Sequence, residues 1–254
     1  VSIFLYNNSM ENVFASASQY KTKKLLTFTS WLLILSGIVC SFTVWVFAKP
    51  VVTQTNAIPS GFSVQGVSIN QTSNYVDFNN LASNGVSFVY MRTTSGSSVM
   101  DGGYKSSFSR AKSAHLKVGT IHVYDASVTA ATQAQYYIDN VGNNIGELPI
   151  AISVTADQIS TATSKQRLAS LVQILASHYN HDMIIYTTPN VQKKLSSTIS
   201  KTKYWLIEDN TKNTDSKNLF IQYDEDQTIG SGLKAIKMPT TVFNGTQKQF
   251  EVYK

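Results

Sequence analysis

The sequence predicts an α/β domain, closed as a barrel more than laid open as a sheet, with one transmembrane helix ahead of it. Short apolar runs rich in β-branched residues alternate with amphipathic helical stretches, seven or eight strands fall within about 190 residues, and residues 25–48 contain no charge. Strands alternating with helices of this length read as βαβ units around a parallel sheet, and so many strands in so short a chain favour closure.

The first element is the uncharged run LLTFTSWLLILSGIVCSFTVWVFA, residues 25–48. As a helix rising ~1.5 Å per residue it reaches ~36 Å, enough to span a bilayer with some tilt. Lys21, Lys23 and Lys24 precede it and only Lys49 follows closely. An excess of cations on one flank places that flank in the cytoplasm, so residues 1–24 are read as cytoplasmic and residues 50–254 as extracytoplasmic. The alternative is a cleaved signal peptide, since Val46-Phe47-Ala48 is an acceptable cleavage site. The run exceeds the usual ~7–15-residue signal core, which favours the uncleaved signal-anchor.

Residues 49–60, KPVVTQTNAIPS, carry two prolines and no amphipathic period, and read as a linker. The globular domain, residues 61–254, follows. Its strands are predicted over Phe62–Ile69, Val86–Met91, Val118–Val123, Ile150–Val154, Met183–Tyr186, Tyr204–Ile207 and Leu219–Tyr223. Helices are predicted over Tyr104–Ala114, Ala130–Val141 and Lys165–Tyr179. In the last, Leu168, Leu171, Val172 and Leu175 recur at three- and four-residue spacing.

Composition narrows the function classes. Hydrophobic residues make up 43% and charged residues 14%, enough to bury a core and unlike a disordered chain. The net charge of +6 is spread thinly outside the N-terminal lysines, with no Lys/Arg stripe interleaved with aromatics, which argues against nucleic-acid binding. The single cysteine, Cys40, lies inside the apolar run, so the outer domain depends on its core and not on a disulfide. No His/Cys/Asp spacing indicates a metal, no Gly-x-Ser-x-Gly is present, and no cofactor is implied.

Several motifs, in order, resemble the family-25 glycoside hydrolases, the bacterial and phage muramidases. Gly85-Val-Ser-Phe-Val-Tyr-Met-Arg-Thr-Thr-Ser-Gly96 is similar to the family's second strand. Asp101, Tyr104, Ala111-Lys-Ser-Ala-His-Leu-Lys-Val-Gly119 and Ile121-His-Val-Tyr124 follow, then Leu148-Pro149, Ile184-Ile-Tyr-Thr-Thr-Pro189, Trp205, Gln222-Tyr223 and Val242-Phe-Asn-Gly245. The resemblance implies an irregular, flattened (β/α) barrel. Its open groove, at the C-terminal strand ends, would bind the glycan strand of peptidoglycan.

The departures bear on chemistry. Where the family opens with Gly-Ile-Asp-Val-Ser, this chain has Gly66-Val-Ser-Ile-Asn70, so Ser68 stands for the first acid. Where the family carries Asp-x-Glu after Leu-Pro, Leu148-Pro-Ile-Ala-Ile-Ser-Val-Thr155 supplies Ser153 and Thr155. Ser95 replaces a Glu, and residues 237–242 contain no acid for the family's final Asp. Glycoside hydrolysis needs an acid for the leaving oxygen and an anion, or an acetamido group positioned by one, for the oxocarbenium-like centre. An alcohol supplies neither near neutral pH.

The uncharged run 25–48 and the resemblance together imply a membrane-anchored, wall-facing pseudo-muramidase that contacts glycan without cutting it. An active muramidase using relocated acids is the alternative. Glu208 and Asp209 lead the candidate acids, followed by Asp125, Asp157, Asp224, Glu225 and Asp226. A further alternative is an envelope accessory protein that no longer contacts glycan. Substrate contact is assigned to His122 at a matched groove position, to Tyr90, Tyr124, Tyr186 and Tyr223 as stacking platforms, and to Arg92 as a carboxylate partner. For each, a packing or structural role is the competing reading.

Overall fold

The computed structural model describes residues 30–36, 58–70, 75–209, 211 and 215–253. The chain divides into two compact units, Val1–Val52 and Thr53–Lys254. In the first, residues 30–36 form a helical segment, α1. Its apolar side chains from Trp31 to Leu35 are all exposed. The segment 1–24, the rest of the predicted span 25–48 and most of the linker lie outside the described residues. Among the described residues no helix is long and apolar enough to cross a membrane.

The second unit alternates strand and helix. It runs β1 (Gln65–Ile69), α2 (Phe78–Ser83), β2 (Val86–Ser95), β3 (Val99–Met100), α3 (Tyr104–Ser113), β4 (Lys117–Val123), α4 (Ala130–Val141) and β5 (Ile150–Ser153). It continues with α5 (Ala162–Tyr179), β6 (Met183–Thr187), α6 (Pro189–Leu195), β7 (Lys203–Ile207), β8 (Asn218–Ile229), β9 (Ile236–Phe243) and α7 (Gln247–Phe250). The sheet runs β1-β9-β8-β7-β6-β5-β4-β2-β3, and β1 also pairs with β2. That pairing closes an eight-stranded barrel, with β3 as a short flap on β2. Within the barrel the neighbours among β1, β2, β4, β5, β6, β7 and β8 are parallel; β9 is antiparallel to both β8 and β1, and the flap β3 is antiparallel to β2.

Period-two alternation sorts the side chains into two cores. Val89, Met91, Val118, Ile150, Ile152, Ile185 and Leu206 face outward against the helices. Phe88, Tyr90, Ile121, Ala151, Ile184, Trp205, Phe220 and Phe243 fill the inside, together with Phe250 of α7. Phe250 packs 5.5 Å from Phe88 and 5.3 Å from Phe243, ring centre to ring centre. Lys117, the first residue of β4, donates through Nζ to the carbonyl of Tyr253. α7 and the chain beyond it therefore plug the N-terminal end of the barrel. Rings of this size fit because the facing positions are glycine. A Cβ on Gly66 would lie 2.3 Å from the Phe88 ring, and one on Gly119 would lie 2.3 Å from the Tyr90 ring.

The predicted helices appear with small shifts. α5 begins at Ala162, where Thr161 and Ser164 form a reciprocal capping box that the periodicity of the leucines does not reveal. β9 is absent from the predicted strands because Pro239 interrupts it. Met238 and Thr240 pair with Gln227 and Asp224, and Pro239 falls between them where the register shifts. A proline, with no N–H to donate, is tolerated at such an irregularity.

Candidate active site at the C-terminal strand ends

With the N-terminal end plugged, the inner residues at the C-terminal strand ends form the accessible mouth. Ser68 of β1 is an inner residue, because Val67 and Ile69 beside it belong to the outer core. On β2, Phe88 and Tyr90 point inward, and Arg92 is the next inner position, paired with the inward Ile121 of β4. A register shift between Arg92 and Thr94 then turns Ser95 inward opposite Val123. Ser153 of β5 pairs with Tyr186 of β6. Ser68, Arg92, Ser95, Ser153 and Tyr186 are all partly exposed.

Tyr186 anchors the opposite wall. Its ring stacks on Trp205 of β7 at 4.1 Å and 29°. Its hydroxyl donates to Gln222 Oε1 of β8 at 2.6 Å. Burial, and then the negative charge of Glu225, push this hydroxyl above the ordinary tyrosine range. Glu225 therefore reaches the mouth electrostatically. Thr155 lies beyond the end of β5 and is exposed. Its N–H donates to Gln158 Oε1 at 2.9 Å, and its hydroxyl donates to Asp157. A separate cleft lined by Gln192, Lys193, Ser196, Tyr204, Asp215 and Lys217 lies toward the other end of β7 and contains none of these groups.

The family model for glycosyl hydrolases family 25 matches residues 67–231, from within β1 to just past the end of β8. The chain belongs to glycosyl hydrolase family 25. It is 26% identical over 172 residues to the autolytic lysozyme of Clostridium acetobutylicum, covering 65% of this chain and 52% of that protein. The chain thus spans about half the length of that relative. Among solved structures it is similar to a family 25 glycosyl hydrolase from Bacillus anthracis, with TM-score 0.69, 21% identity and coverage of 78% of this chain and 96% of that one. It is also similar to the bacterial lysozyme of Streptomyces coelicolor, with TM-score 0.63, 19% identity and coverage of 74% and 94%. These structural likenesses establish the fold.

Within this family-25 barrel, four of the six predicted contact residues lie away from the mouth. His122 is fully buried on the outer side of β4. Its Nδ1 lies 2.8 Å from Thr94 Oγ1, its Nε2 lies 3.3 Å from Gln133 Oε1 of α4, and its ring meets Tyr137 edge-on. Alternation along β4 explains this: Ile121 points in, so His122 points out. Tyr90 is an inner residue, but its hydroxyl donates to the carbonyl of Pro149 at 3.0 Å, just before the start of β5, which directs it to the plugged end. Tyr124 is buried with its hydroxyl on the Ser164 carbonyl at 2.7 Å, in the outer core beside α5. Tyr223 donates to Gln227 Oε1 at 2.7 Å, away from the inward Gln222. Arg92 and Tyr186 remain at the mouth.

The candidate acids divide by their partners. Asp125 accepts hydrogen bonds from the hydroxyl and N–H of Ser127, which lower its pKa. Asp157 is lowered first by the bond from the Thr155 hydroxyl. Both therefore stay ionised at neutral pH and have no proton to give. Asp226 is ion-paired with Lys237 at 2.7 Å on the exposed β8–β9 hairpin. Glu208 follows β7 with its N–H on the Gln222 carbonyl at 3.0 Å, and Asp209 beyond it is exposed. The sequence favours Glu208 and Asp209 because they follow the strand Tyr204–Ile207; Glu225 is the acid whose charge bears on Tyr186. The signal that marks it is its place just past Gln222, after the register shift in β8. Among the described residues no group of three or more His, Cys, Asp and Glu is placed to hold a metal ion.

Proposed function

We propose that this family-25 chain is a membrane-tethered, wall-facing module that binds the glycan strand of peptidoglycan without hydrolysing it. The observation that carries the reading is the chemistry of the mouth. Ser68, Ser95 and Ser153 occupy inner strand-end positions where the family resemblance puts carboxylates, and Asp125 and Asp157 are held ionised by hydrogen bonds. A general acid contributes ~10²–10⁴-fold, and neutral side chains in place of the carboxylate that would stabilise the oxocarbenium-like centre add to that loss. Hydroxyls and an amide still offer hydrogen bonds to sugar, and the exposed part of Tyr186 over Trp205 offers an aromatic surface. Tethering is supported by the uncharged run 25–48 and by the exposed apolar side chains of α1.

The test is release of reducing ends from purified peptidoglycan, run beside co-sedimentation with the same material. The expected result is binding with no release above background. Turnover by the wild type would overturn the proposal and favour relocated acids. Glu225→Gln, Glu208→Gln and Asp209→Asn would then identify the group, with Glu225 tested first because its charge reaches Tyr186. For the tether, the chain should stay with membranes after a high-salt wash and lose the 53–254 unit to external protease. A soluble product beginning near Lys49 would indicate a cleaved signal peptide.

A further inference from the structure

We infer that the mouth contains an anion-accepting subsite centred on Arg92, which takes a carboxylate or phosphate group carried by the cell wall. The inference rests on the glycan-binding reading above and specifies what that site selects. Arg92 is an inner, partly exposed residue near the C-terminal end of β2, paired with Ile121 of β4. Among the described residues its guanidinium forms no ion pair and no hydrogen bond. Asp125, the acid that follows the neighbouring strand β4, is engaged by Ser127 and is not ion-paired with Arg92.

A half-buried guanidinium has five N–H donors and no acceptor, so it is satisfied by water or by a ligand oxygen. The serines that share the mouth with it carry no charge, and the Asp125 carboxylate, which lies against Gly96, is engaged by Ser127. The hydroxyls of Ser68, Ser95 and Ser153 make no hydrogen bond among the described residues. The indole N–H of Trp205, buried beside Tyr186, is also without a partner. The amide oxygen of Gln222 is already taken by the Tyr186 hydroxyl. An unpaired arginine at a strand end among serine-bearing strand ends matches carboxylate and phosphate oxygens, which its planar fork can bind in two-point fashion.

The charge layout also gives the ligand a direction. Arg92 lies on the β2 wall, and the charge of Glu225 bears on Tyr186 on the β6 side. An anionic substituent is drawn to the first wall and held off the second, where a neutral sugar face can lie over Tyr186. A family mouth rich in acids would repel such a group, so exchanging acids for serines changes what is selected as well as what is cut.

The experiment measures binding of the full chain, in detergent, to three wall preparations. These are native peptidoglycan sacculi, sacculi stripped of phosphodiester-linked polymers by hydrofluoric acid, and sacculi whose carboxyls have been converted to amides with carbodiimide and ammonia. If the anion is a carboxylate, amidation should weaken wild-type binding about tenfold, as expected for loss of one charge-assisted contact. If it is a phosphate, the hydrofluoric acid treatment should do so instead. Arg92→Gln should bind native sacculi about tenfold more weakly and be insensitive to the treatment that affects the wild type. Arg92→Lys should fall between, since it keeps the charge and loses the fork. Equal wild-type binding to all three preparations would overturn the inference while leaving glycan binding intact, and this arm needs no variant to fold. Equal binding of wild type and Arg92→Gln to native sacculi would overturn it in the same way. Failure of the wild type to bind any preparation would overturn both readings.

Discussion

The two ends of the barrel are built from opposite materials. At the N-terminal end Phe88, Phe220, Phe243 and Phe250 interlock, with ring centres 5.1 to 5.5 Å apart in four contacts, and all four are buried. At the C-terminal end the inner residues are Ser68, Arg92, Ser95, Ser153 and Tyr186, all partly exposed. The first end carries packing and the second carries chemistry. Buried aromatics supply large apolar areas and geometric fit, whereas partly exposed serines contribute little to either. The mouth can therefore exchange charged residues for neutral ones while the plug holds the fold. The chain is recognisable as a family-25 barrel across residues 67–231; on the reading proposed above, it differs at the mouth.

The contrast predicts unequal responses to truncation. Phe220→Ala removes a fully buried ring from the centre of the plug and should cost about 3–5 kcal/mol through lost burial and the cavity left behind. For a domain of this size that lowers the melting temperature by about 10 °C. Ser153→Ala at the mouth should change stability by less than about 0.5 kcal/mol, as for most surface substitutions. Thermal unfolding of both variants checks the pair. Similar losses in the two would show that the mouth is as structural as the plug.

What was legible in the sequence follows the same division. The alternation of strands with helices, and the number of strands in about 190 residues, were enough to predict a closed α/β barrel, and alternation along β2 and β4 identifies which residues share a face. Alternation does not report depth. Tyr90 sits on the inner face with Arg92, yet its hydroxyl meets Pro149 at the plugged end. Motif order does not report face either. His122 matches a family motif, but its neighbour Ile121 takes the inner position. Counting faces along Val118, Thr120 and His122 would have found this. Glu225 was among the candidate acids, but neither its rank among them nor β9 was recoverable from such counting, because the irregularities in β8 and at Pro239 break the period on which it depends.

The mouth does rest on one polar support, and it should respond to pH. His122 ties the end of β2 to α4 through Thr94 and Gln133, and Gln133 in turn fixes the loop after β4 through the N–H and carbonyl of Asp125, at 2.8 Å each. The Gln133 oxygen accepts, so Nε2 donates to it and Nδ1 accepts from the Thr94 hydroxyl: the neutral ring is fully satisfied. Burial lowers the pKa of His122 from 6.5 to about 4, against a smaller upward pull from Gln133. The unfolded chain takes up this proton near pH 6.5 and the folded chain only near pH 4. Between those values the unfolded state binds more protons, so stability falls as the pH is lowered through the window and levels off below it. The loss from this residue between pH 7 and pH 4 should be about 3 kcal/mol, from the size of the shift. Urea unfolding of the wild type and of His122→Gln at pH 7, 6, 5 and 4 isolates it from the carboxylates, which titrate in both. The variant should start less stable and lose less on acidification, so that the two curves converge toward pH 4. Parallel curves would mean that His122 does not titrate differently on folding, and the support of the mouth would then have to be sought in Gln133 alone.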